Sequence, residues 1–144
     1  MPTSQRIGWI LFWLVWMSCS TARAAEIISP ETVPGSTRVN AEEVIDLVEK
    51  ISDLVIIDAR IAIDRKQGFI EGSHSLPDVE TTCITLAKLA PGKKSQLLFY
   101  CNGVKCGRSA KAIAAAKSCG YEKIYWFRGG LEEWKAKGYP FVTE

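Results

Sequence analysis

The chain has 144 residues, with 18 Lys and Arg against 16 Asp and Glu, one His and five Cys. That length suits one domain and not comfortably two. No basic stripe or repeated aromatic–basic pattern runs along it, which argues against a nucleic-acid partner, and one histidine cannot build a zinc site.

Residues 1–24 have the three-part form of a secretory signal. Met1 to Arg6 is polar with one Arg, Ile7 to Met17 is apolar throughout, and the small residues after it end in Ala22-Arg23-Ala24, an A-x-A cleavage pattern. The expectation is a signal peptide over 1–24 and a periplasmic or secreted protein. The membrane enters only through an uncleaved signal, the minor alternative, because eleven apolar residues are short for a bilayer span. Cleavage removes two of the 18 basic residues and no acid, leaving 16 against 16. Four cysteines then remain: Cys83, Cys101, Cys106 and Cys119. An even count in an oxidising compartment suggests disulfides, although a domain of this size does not need them to fold.

Residues 25–37, with Pro30, Pro34 and Gly35, read as an extended lead-in to a domain over 38–144. Asn40 with Glu43 predicts a capping box opening a helix whose apolar side is Val44, Leu47, Val48 and Ile51. Leu54 to Ile57 is a continuous apolar run, the pattern of a strand buried on both faces of a parallel sheet, and it ends at Asp58-Ala59-Arg60. Residues 61–72 read as a loop of mixed charge with room for one helical turn. A short strand is expected within 73–77 and a helix over 82–90, stopped by Pro91-Gly92. Next come a strand ending at Tyr100, a helix over 109–119 closed by Gly120, a strand over 123–126 and a last helix over 130–137. Strands alternating with helices predict a three-layer α/β fold, a central parallel sheet with helices on both faces, and sites beyond the carboxyl ends of the strands.

Cys101 lies at such an end. It opens the loop Asn102-Gly103-Val104-Lys105-Cys106-Gly107-Arg108, which runs straight into a helix. A helix N-terminus, the glycine amides and the cations Lys105 and Arg108 would all favour a thiolate there. A free thiol has a pKa of about 8.5, and making the thiolate the major form at neutral pH takes roughly 2.7 kcal/mol of such stabilisation. The alternative is an inert buried cysteine. Asp58 and Arg60 also fall past a strand end, where a buried carboxylate is more often structural than an acid–base group. Arg128 either faces the same mouth or braces a turn.

Three segments, in this order and spacing, carry a resemblance. The strand ending Asp58-Ala59-Arg60 is followed by Gly68-Phe69-Ile70-Glu71-Gly72-Ser73-His74-Ser75-Leu76-Pro77. Tyr100-Cys101 to Arg108-Ser109 forms the loop. Gly129-Gly130-Leu131-Glu132-Glu133-Trp134 then precedes Gly138-Tyr139-Pro140. Over about residues 38–142 the chain resembles a rhodanese-like single-domain sulfurtransferase of exported type. The resemblance implies a rhodanese-like fold and a Cys101 persulfide. That persulfide would be loaded by a small sulfur-containing anion such as thiosulfate and discharged to cyanide or a thiol, a protein acceptor included, with no metal or organic cofactor. Asp58 and Arg60 match positions that brace the loop. The family's His before Ile70 is Phe69 here, so no role is carried to that position.

Two departures stand out. The family's loop has a basic residue five positions after the cysteine, whereas Arg108 follows at seven, implying a wider cradle. Cys106 lies inside the loop, either as a resolving thiol for Cys101, as a wall residue, or as half of a structural disulfide with Cys83 or Cys119. The other classes considered are a cysteine phosphatase, an oxyanion or thiol–disulfide reductase using the same loop, and a non-catalytic sulfur carrier or binding module.

Overall fold

In the computed structural model, which describes residues 28–143, five strands form one sheet in the order β1-β5-β4-β2-β3, every pair parallel. The strands are β1 (Thr37–Val39), β2 (Val55–Asp58), β3 (His74–Ser75), β4 (Gln96–Tyr100) and β5 (Lys123–Phe127). The helices are α1 (Ala41–Lys50), α2 (Ala62–Arg65), α3 (Cys83–Leu89), α4 (Arg108–Ser118) and α5 (Gly130–Ala136), with a 3₁₀ turn at Asp78–Glu80. The expected signal over 1–24 lies outside the described residues. Among those described, no helix is long and apolar enough to cross a membrane.

Alternation along β4 explains the layering. Leu97 and Phe99 join the core under α3 and α4, with Ile57, Leu86, Ile113 and Trp126. Leu98 and Tyr100 join the opposite core under α1 and α5, with Val44, Ile56, Phe127 and Trp134. Successive side chains of a strand point to opposite faces, so a strand buried on both sides must be apolar throughout. The central position of β4 is what places Cys101 deep in the carboxyl edge of the sheet.

The cap at Asn40 forms as predicted: its side chain accepts from the Glu43 amide and the Glu43 carboxylate accepts from the Asn40 amide. Thr82 and Thr85 make a second capping box at α3. On α1 the apolar side differs in part from expectation. Val44 and Leu47 pack into the core as expected, joined by Ala41 and Ile45, but Val48 is 48% exposed.

The lead-in is not a free arm, and its last residue, Thr37, already belongs to β1. The Ser29 amide and hydroxyl both donate to the Val104 carbonyl oxygen at 2.8 Å, and Ser36 turns the chain back onto Val33. Arg128 donates to the carbonyl oxygens of Pro30 (2.8 Å) and Ser29 (3.0 Å) and to the Glu31 carboxylate (2.8 Å). Arg128 therefore braces the lead-in.

Cys83, at the start of α3, is disulfide-bonded to Cys119, at the end of α4, so Cys106 pairs with neither. Their sequence separation of 36 gives a loop whose closure is worth roughly 4 kcal/mol in the chain-entropy account. Replacing both by alanine is expected to lower the unfolding free energy by about 2–4 kcal/mol. Urea denaturation of the double variant beside wild type measures this, and an unchanged midpoint would contradict it.

Candidate active site

Cys101 is the first residue beyond β4 and is 1% exposed. The chain then turns through Gly103 to Cys106, closed by a 3.0 Å hydrogen bond from the Cys106 amide to the Gly103 carbonyl oxygen. Helix α4 begins at Arg108 with no side-chain cap. Among the described residues, the amides of Gly103, Val104 and Gly107 donate to no protein acceptor. Amides without a protein acceptor, beside the uncapped N-terminus of α4, are donors that an anion can satisfy.

The loop is fixed from two sides. From α5, the amide of Leu131 donates to the Cys101 carbonyl oxygen (3.0 Å) and that of Glu132 to the Asn102 carbonyl oxygen (2.8 Å). Gly130 makes this approach feasible: its φ is +57°, and a Cβ there would collide with the Cys101 carbonyl oxygen and sit 2.9 Å from Asn102 backbone atoms. From the segment just past β2, Arg60 donates to the Asn102 side-chain oxygen (3.2 Å), while the Asn102 amide group donates to Asp64 (3.2 Å).

Arg60 is itself held by Asp58, which is 0% exposed. The Asp58 carboxylate accepts from Arg60 Nε (2.8 Å) and Nη2 (2.6 Å), the Arg60 amide (3.1 Å), Arg65 (3.3 Å) and the Tyr100 hydroxyl (2.9 Å). All its oxygens are committed to buried partners, so it serves as a structural hub rather than a proton carrier. Burial opposes the Arg60 charge, but hydrogen bonding to Asp58 and its charge outweigh that and raise the pKa. Burial, then the Asp58 charge, pushes Tyr100 up to about 12, so it stays a neutral donor at ordinary pH.

Asp58 and Arg60 were legible as supports from the sequence; Arg65, Tyr100, Ser73 and Asp64, which complete the brace, were not. His74 lies exposed on the outer strand β3, two strands from β4, and does not join the cysteine loop. Among the described residues, no group of three His, Cys, Asp or Glu could hold a metal ion.

A cavity of about 530 Å³ opens beside the loop, lined by Ile61, Asp78, Val79, Cys106, Arg108 and Lys111 among others. Its size suits a small ligand. Cys101 does not line it, because Cys106 lies over Cys101 and the two are joined as a disulfide with Cα atoms 6.2 Å apart. The sequence had left this pairing open among three roles for Cys106.

A parallel α/β sheet with a cysteine loop at the carboxyl end of its central strand, locked by the Gly-Gly start of the last helix, defines the class. The chain belongs to the rhodanese-like domain family, whose pattern matches residues 40–137. It is similar to the tRNA uridine(34) hydroxylase of Corynebacterium urealyticum, 31% identical over 112 residues, covering 73% of this chain and 36% of that protein. The chain thus spans little more than a third of that curated relative. Among solved structures it resembles thiosulfate sulfurtransferase from Pseudomonas aeruginosa (TM-score 0.65, 25% identity, 75% of this chain and 20% of that one). It also shares its fold with the polysulfide-sulfur transferase homodimer of Wolinella succinogenes (TM-score 0.63, 20% identity, 76% of this chain and 80% of that one).

Proposed function

We propose that the domain is a sulfurtransferase that carries sulfane sulfur on Cys101. The observation that carries the reading is the position of Cys101, at the end of the central strand and directly before the uncapped N-terminus of α4, in a chain of the rhodanese-like family. The reduced Cys101 thiolate attacks the outer sulfur of a donor such as thiosulfate. The S–S bond of the donor breaks, sulfite leaves with the bonding pair, and a Cys101 persulfide remains. The loop amides, Lys105 and Arg108 stabilise the anionic sulfur and the departing oxyanion. A nucleophile such as cyanide or a thiol then takes the outer sulfur and returns Cys101 to the thiolate. The residues suffice without a metal or organic cofactor. The hydroxylation named for the Corynebacterium relative is not carried over.

We also propose that the protein works in an oxidising compartment, periplasmic or extracellular. The Cys83–Cys119 disulfide and the apolar segment 7–17, followed by the A-x-A pattern Ala22-Arg23-Ala24, support this.

Thiocyanate formation from thiosulfate and cyanide by the reduced protein tests the transfer reading against the phosphatase one. Turnover with thiosulfate and none with an aryl phosphate is expected; the reverse pattern would overturn the proposal. Arg108→Gln is expected to raise KM for thiosulfate about tenfold, the equivalent of one lost charge-assisted contact of about 1.4 kcal/mol. Added salt should shrink that difference, and an unaltered KM would remove Arg108 from donor binding.

A further inference from the structure

Transfer of sulfur to an external acceptor leaves Cys106 without a task, yet the fold places its sulfur on that of Cys101. The geometry of the loop brings this about. The hydrogen bond from the Cys106 amide to the Gly103 carbonyl oxygen folds the chain back, and the Cα separation of 6.2 Å lies within the range disulfides span. The two sulfurs differ in access: Cys101 is buried, whereas Cys106 is half-buried and lines the cavity. Cys83 and Cys119 are bonded to each other and cannot substitute for it.

We infer that Cys106 resolves the Cys101 persulfide and releases its outer sulfur as hydrosulfide, giving the domain a second activity as a dithiol-dependent reductase of sulfane sulfur. The inference rests on the sulfur-transfer reading above. The Cys106 thiolate attacks the Sγ atom of Cys101. The bond between Cys101 and the outer sulfur breaks, and the outer sulfur leaves with the bonding pair and takes up a proton from water. The Cys101–Cys106 disulfide forms in the same step. The two electrons that reduce the sulfane sulfur come from the two cysteines, so no further oxidant or reductant enters.

The disulfide is then reopened by an external dithiol. Its first thiolate attacks the accessible Cys106 sulfur from the cavity. The Cys101 thiolate leaves into the amide-lined end of α4, the better leaving group of the two. The second thiol of the reductant displaces Cys106, and the reductant departs as a disulfide. Over a full cycle thiosulfate and a dithiol become sulfite, hydrogen sulfide and a disulfide. A nucleophile such as cyanide competes by taking the outer sulfur before Cys106 attacks.

A single-turnover experiment without cyanide or thiol tests this. The full chain is reduced, freed of reductant under anaerobic conditions and mixed with thiosulfate, and sulfite, sulfide and protein mass are followed. Wild type is expected to release one sulfite and one sulfide per chain and to end as the Cys101–Cys106 disulfide with no persulfide. Cys106→Ser and Cys106→Ala are expected to release one sulfite and no sulfide and to keep the added sulfur on Cys101. Both variants retain Cys83 and Cys119, so their failure to release sulfide assigns that step to Cys106. Wild type that keeps the persulfide, or variants that release sulfide as wild type does, would overturn the inference and leave sulfur transfer standing. Absence of sulfite from wild type and variants alike would overturn the transfer reading itself, and this inference with it.

Discussion

Replacing Cys101 by serine is expected to abolish sulfur transfer, with a loss on the order of 10⁴-fold or more, the scale set by removal of a covalent nucleophile. A serine hydroxyl is scarcely ionised at neutral pH and forms no persulfide, so neither loop amides nor nearby cations can restore the step. The fold should survive, because the brace from α5 grips the Cys101 and Asn102 carbonyl oxygens and not the sulfur. Thiocyanate assays with circular dichroism on the same sample check both halves. Substantial residual turnover would mean that another thiol carries the sulfur, with Cys106 the nearest candidate.

The second large effect is on stability. Asp58→Ala is expected to cost about 3–5 kcal/mol, because it leaves the buried Arg60 and Arg65 without their shared carboxylate. Against a typical domain stability of about 5–15 kcal/mol, that brings the protein close to unfolding at ordinary temperature. The loss should also reach the site, since Arg60 links Asp58 to Asn102. The urea midpoint measures the first effect. A variant as stable as wild type would show that the hub contributes little, and the brace would need another origin.

Much of the architecture was legible because β2 and β4 are continuous apolar runs and Asn40, Gly120 and Gly138 punctuate the helices. Strand β1 was not, because Thr37–Val39 is three residues long and owes its conformation to pairing with β5. The position of Cys101 followed from local order alone. Its supports did not, since Tyr100 meets Asp58 across 42 residues and Arg65 meets it only after α2 turns the chain. Gly130 stood in a quoted signature, yet its reason, close approach of α5 to the Cys101 carbonyl, appears only when two distant segments meet. The cysteine pairings were beyond reach for the same reason, because four cysteines allow three connectivities and spacing does not choose among them.

The proposed chemistry rests on one atom, the outer sulfur bound to Cys101. Thiosulfate carrying a heavy isotope in its outer sulfur, added to the reduced Cys106→Ser protein, followed by peptide mass mapping, tests it most directly. The heavy sulfur is expected on the peptide containing Cys101 and is expected to be lost when cyanide is added. Label on Cys83 or Cys119, or on no peptide at all, would contradict it.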